Sequence, residues 1–180
     1  MLNYRRDSMK IENPFEKTEA FHEKFDNRKP EVPTPFSAKQ ASDRAGFKVE
    51  ELVEFLYGAA ANDPTEFKKL VTQLKQSVDE AEEKVLSKKK NVTDPLVEQV
   101  DALIDLLYFT YGSFSLLGVD PTEIFSIVHE ANMGKIFPDG QPHYHPVTHK
   151  VMKPNNWEAD FAPEPKIKEE LERQYNAKKK

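Results

Sequence analysis

The stretch DPLVEQVDALIDLLYFTYGSFSLLG, residues 94–118, decides the fold class. It opens on Asp94-Pro95, an acceptor side chain followed by a residue suited to the first turn of a helix. It closes on Gly118, a residue well able to end one. Between Ala102 and Leu117 the helix is apolar or aromatic nearly all round, with Asp105 its only charge. A helix of that composition is expected to be buried. The apolar run from Ala102 to Val119 also carries two tyrosines and several hydroxyls, so it reads as an interior helix and not as a membrane span. An unpaired carboxylate in an interior is costly. Asp105 must therefore be protonated, paired with a base or bound to a cation.

Working outward, the same punctuation marks further helices. Asp63-Pro64-Thr65-Glu66 supplies an N-cap, a first-turn proline and a capping-box glutamate, and Asp120-Pro121-Thr122-Glu123 repeats the device. These signals place helices over about Ser37–Ala61, from Asp63 into the charged stretch 79–90, over Asp94–Leu117, and from Asp120 to a stop at Gly134. A short amphipathic piece, Phe15–Phe25, precedes an extended arm at 28–35 with prolines at 30, 33 and 35. Residues 135–163 read as an ordered tail rich in proline and histidine, whose few apolar anchors, Trp157 among them, predict mobility in the free protein. Lys166–Lys180 reads as a frayed, charged helix. No segment alternates apolar and polar residues between turns, and no internal repeat is present. The expected fold is all-α: a four-helix core with an N-terminal arm (1–36), a helical domain (37–134) and a tail with a charged C-terminus (135–180).

The bulk composition bounds the chemistry. A chain of 180 residues can build one helical domain with a core. A net charge of −5 argues against a general binder of nucleic-acid backbone. It leaves room for a nucleotide pocket in which a cation supplies the missing positive charge. The absence of cysteine removes disulfides, iron–sulfur clusters and thiolate zinc sites, and fits a cytoplasmic protein. The opening MLNYRRDSMK has no apolar stretch behind its arginines, so no signal peptide is expected.

Two acidic stripes stand out. Glu50-Glu51-Leu52-Val53-Glu54 puts three carboxylates within roughly a 100° arc of the first long helix. Leu52, Val53 and Leu56 point the other way. A solvated helix face is the plainer reading of this stripe, but no basic residue lies between Glu50 and Lys68 to pair along the helix. On the apolar helix, Glu98, Asp101 and Asp105 project within about a 60° arc; here the plainer reading is a buried ion pair. Together the stripes offer six carboxylates and no nitrogen or sulfur ligand, a donor set for Mg²⁺ or Mn²⁺ and not for zinc.

These residues resemble the pattern of the all-α NTP pyrophosphohydrolase superfamily, which includes MazG-like proteins and phosphoribosyl-ATP pyrophosphohydrolase. Its pattern, E-E-x-x-E followed by E-x-x-D, is matched by Glu50, Glu51, Glu54, Glu98 and Asp101. The similarity extends to Phe21-His22-x-x-Phe25, to Arg44, and to Asp105-Leu106-Leu107-Tyr108. It continues through Leu117-Gly118-Val119-Asp120, Asn132-x-x-Lys135 and the lysine-bearing Lys150-Val151-Met152-Lys153. The chain departs from the family in the 43 residues that separate the motifs (55–97). It departs again at Asp105-Leu-Leu-Tyr, which looks like the family's metal aspartate although the residue three before it is Ala102.

The resemblance implies a Mg²⁺-dependent hydrolase that cleaves an NTP or dNTP between the α and β phosphates. It implies Glu51, Glu54, Glu98 and Asp101 as metal ligands with Asp105 as a deeper acid, and Glu50 as the carboxylate acting on water. It also implies Arg44, Asn132, Lys135, Lys150 and Lys153 as substrate contacts, and a homodimer or homotetramer, with no nucleic-acid or membrane partner. The alternative from another class is a non-catalytic helical interaction protein that keeps the acids as a structural Mg²⁺ site. A zinc site at His143, His145 and His149 is disfavoured by the flanking prolines and the lack of cysteine. A di-iron bundle built on Glu19-x-x-His22 lacks its second half.

Overall fold

The computed structural model describes residues 13–26, 28–88, 91–147 and 149–179. The expectations for the N-terminal decapeptide, and for Lys89 and Lys90 of the lysine run, lie outside the described residues. Seven helices are described: α1 (Pro14–Phe25), α2 (Ala38–Ala59), α3 (Pro64–Ser87), α4 (Pro95–Leu117), α5 (Thr122–Met133), α6 (Trp157–Phe161) and α7 (Glu164–Lys178). Among the described residues the only β pairing is two isolated antiparallel bridges, Ile136 with Pro142 and Tyr144 with Val151. The all-α expectation holds.

Local chemistry explains the helix ends. Asn13 and Glu16 form a reciprocal capping box on α1, and Ser37 with Gln40 does the same on α2. Asp63 accepts from the backbone of Thr65 and Glu66. Glu66 itself turns to Lys69, so only the Asp63 half of the expected box forms. Asp94 caps α4 through the backbone N–H groups of Leu96 and Val97. At its far end Gly118 adopts φ +70°, Gly118 N–H reaches the Ser115 carbonyl and Val119 N–H reaches the Phe114 carbonyl. That is a Schellman ending, in which glycine takes the left-handed position without a Cβ penalty. Pro121 sits at the cap of α5 and Asp120 accepts from Thr122 N–H. Helix α3 continues to Ser87 and does not fade at Asp79. Residues 79–86 are mostly Asp, Glu, Lys and Ala, good or tolerated in helices, and Gln76 bonds Glu80 one turn on.

Packing groups the chain into two units, Pro30–Leu106 and the described residues up to Lys29 together with Leu107 onward. In the first, α2 packs chiefly on α3, with Tyr57 edge-on to Phe67 at 5.2 Å between centroids and Ala60 buried at the turn. Phe67, Leu70, Val71 and Leu74 are half-buried. In the second, α5 packs against α1 and α7, with Phe25, Ile124, Ala131 and Trp157 buried.

Three expectations are corrected. Helix α4, expected to be buried, has no buried residue, and neither α2 nor α3 has one. Composition announces that a helix needs cover but not which chain supplies it. The tail is tied down: Trp157 donates its indole N–H to the Ala131 carbonyl at 2.8 Å, and the Phe161 ring lies where a Cβ on Gly134 would stand. Helix α7 is anchored and not frayed. Gln174 brackets Asp120, accepting from its N–H and donating to its carbonyl, and Lys178 donates to the Gly118 carbonyl.

Candidate metal and phosphate site

The α2 stripe forms as expected, with Glu50, Glu51 and Glu54 exposed on one helix. On α4, Glu98 is half-buried while Asp101 and Asp105 are exposed. Asp105 was expected to be the buried, unbalanced acid; within this chain water reaches it, because its helix is uncovered. Each stripe is regular because the residues lie three or four apart on a continuous helix.

The two stripes do not meet in one chain. Among the described residues, no group of three acidic, histidine or cysteine side chains is placed to hold a metal ion. The link between the start of α2 and α4 shows why. The Gln99 side chain brackets the Phe36 backbone, accepting from its N–H at 2.8 Å and donating to its carbonyl at 3.1 Å. From Phe36 to Glu51 the helix climbs roughly 20 Å, whereas Asp101 and Asp105 lie only about 3 and 9 Å of rise beyond Gln99. Gln99 carries no sequence signal for this role, being one polar residue within a polar turn. The chemistry of the donors suits a hard divalent cation; one chain does not assemble them around it.

Arg44, half-buried on α2, holds its guanidinium 5.5 Å from the centre of the Phe47 ring. Lys48 donates to the Arg44 carbonyl at 3.2 Å. Burial, with the Arg44 charge adding to it, lowers the Lys48 pKa.

The expected phosphate contacts fall around the end of α5. Lys135 donates to the Asn132 side-chain oxygen at 2.7 Å. Lys153 places its ammonium 3.6 Å from the centre of the Trp157 ring, and Trp157 is bonded to Ala131 beside Asn132. Lys150 follows on the same hairpin, its carbonyl accepting from His145 N–H at 2.8 Å. So the buried tryptophan ties the segment bearing Lys153 to the end of α5 that carries Asn132 and Lys135, with Lys150 three residues before Lys153.

The histidines serve the local fold. His143 pairs with Asp139 at 2.7 Å and stacks on Phe137, and His145 accepts from Val147 N–H. Asp139 is held below the usual carboxylate range by the Gln141 N–H and by His143. Glu19, the acid of the di-iron alternative, is paired with Lys29.

With this geometry in view, the comparisons with known proteins are specific. The family model for phosphoribosyl-ATP pyrophosphohydrolase matches residues 18–132, which contain both acidic stripes. A crystal structure from Exiguobacterium sp. 255-15, of a protein described by inference as an NTP pyrophosphohydrolase, superposes with a TM-score of 0.82. It is 37% identical, over 93% of this chain and 98% of that one. No curated protein matches.

Proposed function

The chain belongs to the phosphoribosyl-ATP pyrophosphohydrolase family of the all-α NTP pyrophosphohydrolases, and on that premise we propose that it hydrolyses a nucleoside triphosphate to the monophosphate and pyrophosphate. The observation that carries this reading is the pair of regular acidic stripes, Glu50/Glu51/Glu54 on α2 and Glu98/Asp101/Asp105 on α4, both inside the family match. Six carboxylates without nitrogen or sulfur donors suit Mg²⁺ or Mn²⁺. Glu51, Glu54, Glu98 and Asp101 would hold the ion, with Asp105 as a further acid. When bound, such an ion neutralises phosphate charge and polarises phosphorus toward attack.

The rest falls to the protein's own side chains. The Glu50 carboxylate orients a water molecule and accepts its proton as the α–β anhydride bond breaks, with pyrophosphate leaving. A triphosphate stays anionic even with a divalent ion bound, and a chain of net charge −5 must supply local cations. Lys135, Lys150 and Lys153 would fill that role, with Asn132 fixing Lys135, and Arg44 is a further candidate.

The test is a screen of all NTPs and dNTPs with Mg²⁺, read by pyrophosphate release. Phosphoribosyl-ATP belongs alongside them, because the matching family model is described by that substrate. Release from one or more NTPs above a Glu51→Gln control is the expected result. Release from phosphoribosyl-ATP alone would move the substrate, and release from none would overturn the proposal.

A further inference from the structure

Helix α5 ends on an irregular turn, and that turn is braced from outside. The Gly134 N–H still reaches the Glu130 carbonyl at 2.9 Å. The Lys135 N–H, which would continue the helix by bonding Ala131, turns back to the Asn132 carbonyl at 3.2 Å, and the Ile136 N–H turns back to Met133. The Ala131 carbonyl accepts the Trp157 indole N–H instead, at 2.8 Å. Three residues on, Gly134 is buried and faces the half-buried Phe161 ring. Ala131 and Gly134 share one face of α5, as Trp157 and Phe161, four apart, share one face of α6. A hydrogen bond and a ring seated in a notch therefore fix the register of α6 along the last turn of α5.

The notch exists because residue 134 has no side chain. A Cβ there would lie 2.8 Å from Cδ2 of the Phe161 ring and nearer still to Cγ and Cδ1, whereas packed carbons rest about 3.5–4.0 Å apart. Turning the ring about the Cβ–Cγ bond leaves Cγ in place, so ring rotation does not relieve the clash. The backbone makes no such demand. Gly134 has φ −63° and ψ −5°, on the negative-φ side where residues with a side chain also sit. The glycine answers the ring, and not the helix ending that the sequence signals.

What the brace holds is Lys135. Its N–H and its ammonium both go to Asn132, the ammonium to the side-chain oxygen at 2.7 Å. The ammonium therefore stands where the turn at Gly134 puts it. We propose that Gly134 is a positioning residue: by admitting the Phe161 ring, it sets Asn132 and Lys135 in place to receive a phosphate group. A methyl at position 134 must move either the ring, which takes α6 and Trp157 off Ala131, or the turn, which swings Lys135. The phosphate role of Lys135 rests on the hydrolase reading above; the brace does not.

The test compares Gly134→Ala, Phe161→Ala and the double variant in the full chain, each checked by circular dichroism. Alanine at 161 removes the ring that the methyl would meet. The double variant should therefore be no worse than Phe161→Ala alone, a departure from additivity expected of groups in contact. Trp157 emission and amine labelling of Lys135, read by mass spectrometry, report the brace without activity. Gly134→Ala should shift the emission to the red and label Lys135 faster, and both should return to the Phe161→Ala values in the double variant. Wild-type emission and labelling in Gly134→Ala overturn the proposal, as does an additive loss in the double variant. Should Gly134→Ala fail to fold, recovery of the fold in the double variant is the same supporting result, and no recovery overturns it.

Activity separates positioning from bracing. For the best NTP, Gly134→Ala should raise KM about tenfold with kcat nearly unchanged, because the acids on α2 and α4 are untouched. The same substitution is then made in a Lys135→Ala/Lys153→Ala chain, Lys153 being included because it rides on the Trp157 ring. There it should change KM by less than about twofold. An equal rise in that background makes the contact merely structural and overturns the positioning role. If wild type hydrolyses no NTP, the hydrolase reading fails, while emission and labelling still decide whether Gly134 sets Lys135.

Discussion

Trp157 is the only tryptophan in the chain, and replacing it tests how the lysine-bearing hairpin is held. Its ring is 6% exposed, its N–H donates to the Ala131 carbonyl at 2.8 Å, and Lys153 sits on its face. Truncating a buried tryptophan to alanine costs about 3–5 kcal/mol. One face here is covered by an exposed lysine, so the low end, about 3 kcal/mol, applies. Trp157→Phe keeps most of the ring and loses the hydrogen bond, about 1 kcal/mol net. If the hairpin opens locally and recloses quickly, susceptibility follows the open population. At about 1.4 kcal/mol per tenfold, Trp157→Ala opens the hairpin on the order of 100-fold more often and Trp157→Phe about fivefold. Native-state trypsin digestion followed by mass spectrometry reads this at Lys150, the Lys153–Pro154 bond being resistant to trypsin. The reasoning fails if the alanine variant is cut at Lys150 within about twofold of wild type. Equal rates for the two variants would assign the anchorage to the hydrogen bond and not to the buried ring.

The remaining predictions concern charge. Glu51→Gln and Asp101→Asn keep side-chain shape while removing a ligand charge, so each should nearly abolish hydrolysis with helical circular dichroism unchanged. Retention of kcat/KM within about tenfold, a loss below roughly 1.4 kcal/mol, would refute the role of that residue. Millimolar Mg²⁺ should raise the melting temperature above a matched NaCl control, as any ion held by the native state alone would; no shift would count against the donor set. Removing Lys150 and Lys153 together should weaken turnover while leaving the Mg²⁺-dependent shift in place, and full activity would reduce the hairpin to a structural role. Arg173 and Gln174 hold the Glu170 carboxyl below its ordinary pKa, and the Thr122 side chain and N–H do the same for Asp120. Lowered folded pKa values make the docking of α7 fully stabilising above the ordinary carboxylate range and progressively lost as pH falls through it, below about pH 4. Acid unfolding followed by circular dichroism should therefore be steeper for wild type than for Glu170→Gln.

Much of the helical framework was legible because its signals are local. Ser37, Asp63 and Asp94 act on N–H groups two or three residues away, and Gly118 takes a conformation suited to glycine. What escaped was long-range. The run Glu170–Gln174 reads as an ordinary solvated helix face, yet Gln174 brackets a backbone 54 residues distant. Trp157 was visible as an apolar anchor, but not that Ala131 would receive its N–H. The acidic residues proposed as ligands were legible as types and spacings on α2 and α4. Whether two helices bring such residues together depends on the path of the chain between them, and Gln99 holding Phe36 left no mark in the sequence.

Asp105 joins these strands. From composition it belongs in an interior, since a helix apolar nearly all round is unstable against water. In the chain it is exposed, along with every residue of α4 from Asp101 to Tyr111. Both statements stand if the interior is formed between molecules. Covering α4 with a second copy removes water from Phe109 and Leu107, and it raises the electrostatic cost of Asp101 and Asp105 in the same step. A divalent cation would meet that cost, given carboxylates beyond those that the described residues of the helix's own chain bring to it. In a homodimer of the kind the family resemblance implies, interface and metal site would then stabilise one another: Mg²⁺ should strengthen association of the wild-type chain and do so less for Asp105→Asn. An association constant independent of Mg²⁺ would separate the apolar face from the acids and leave the site without its assembly step.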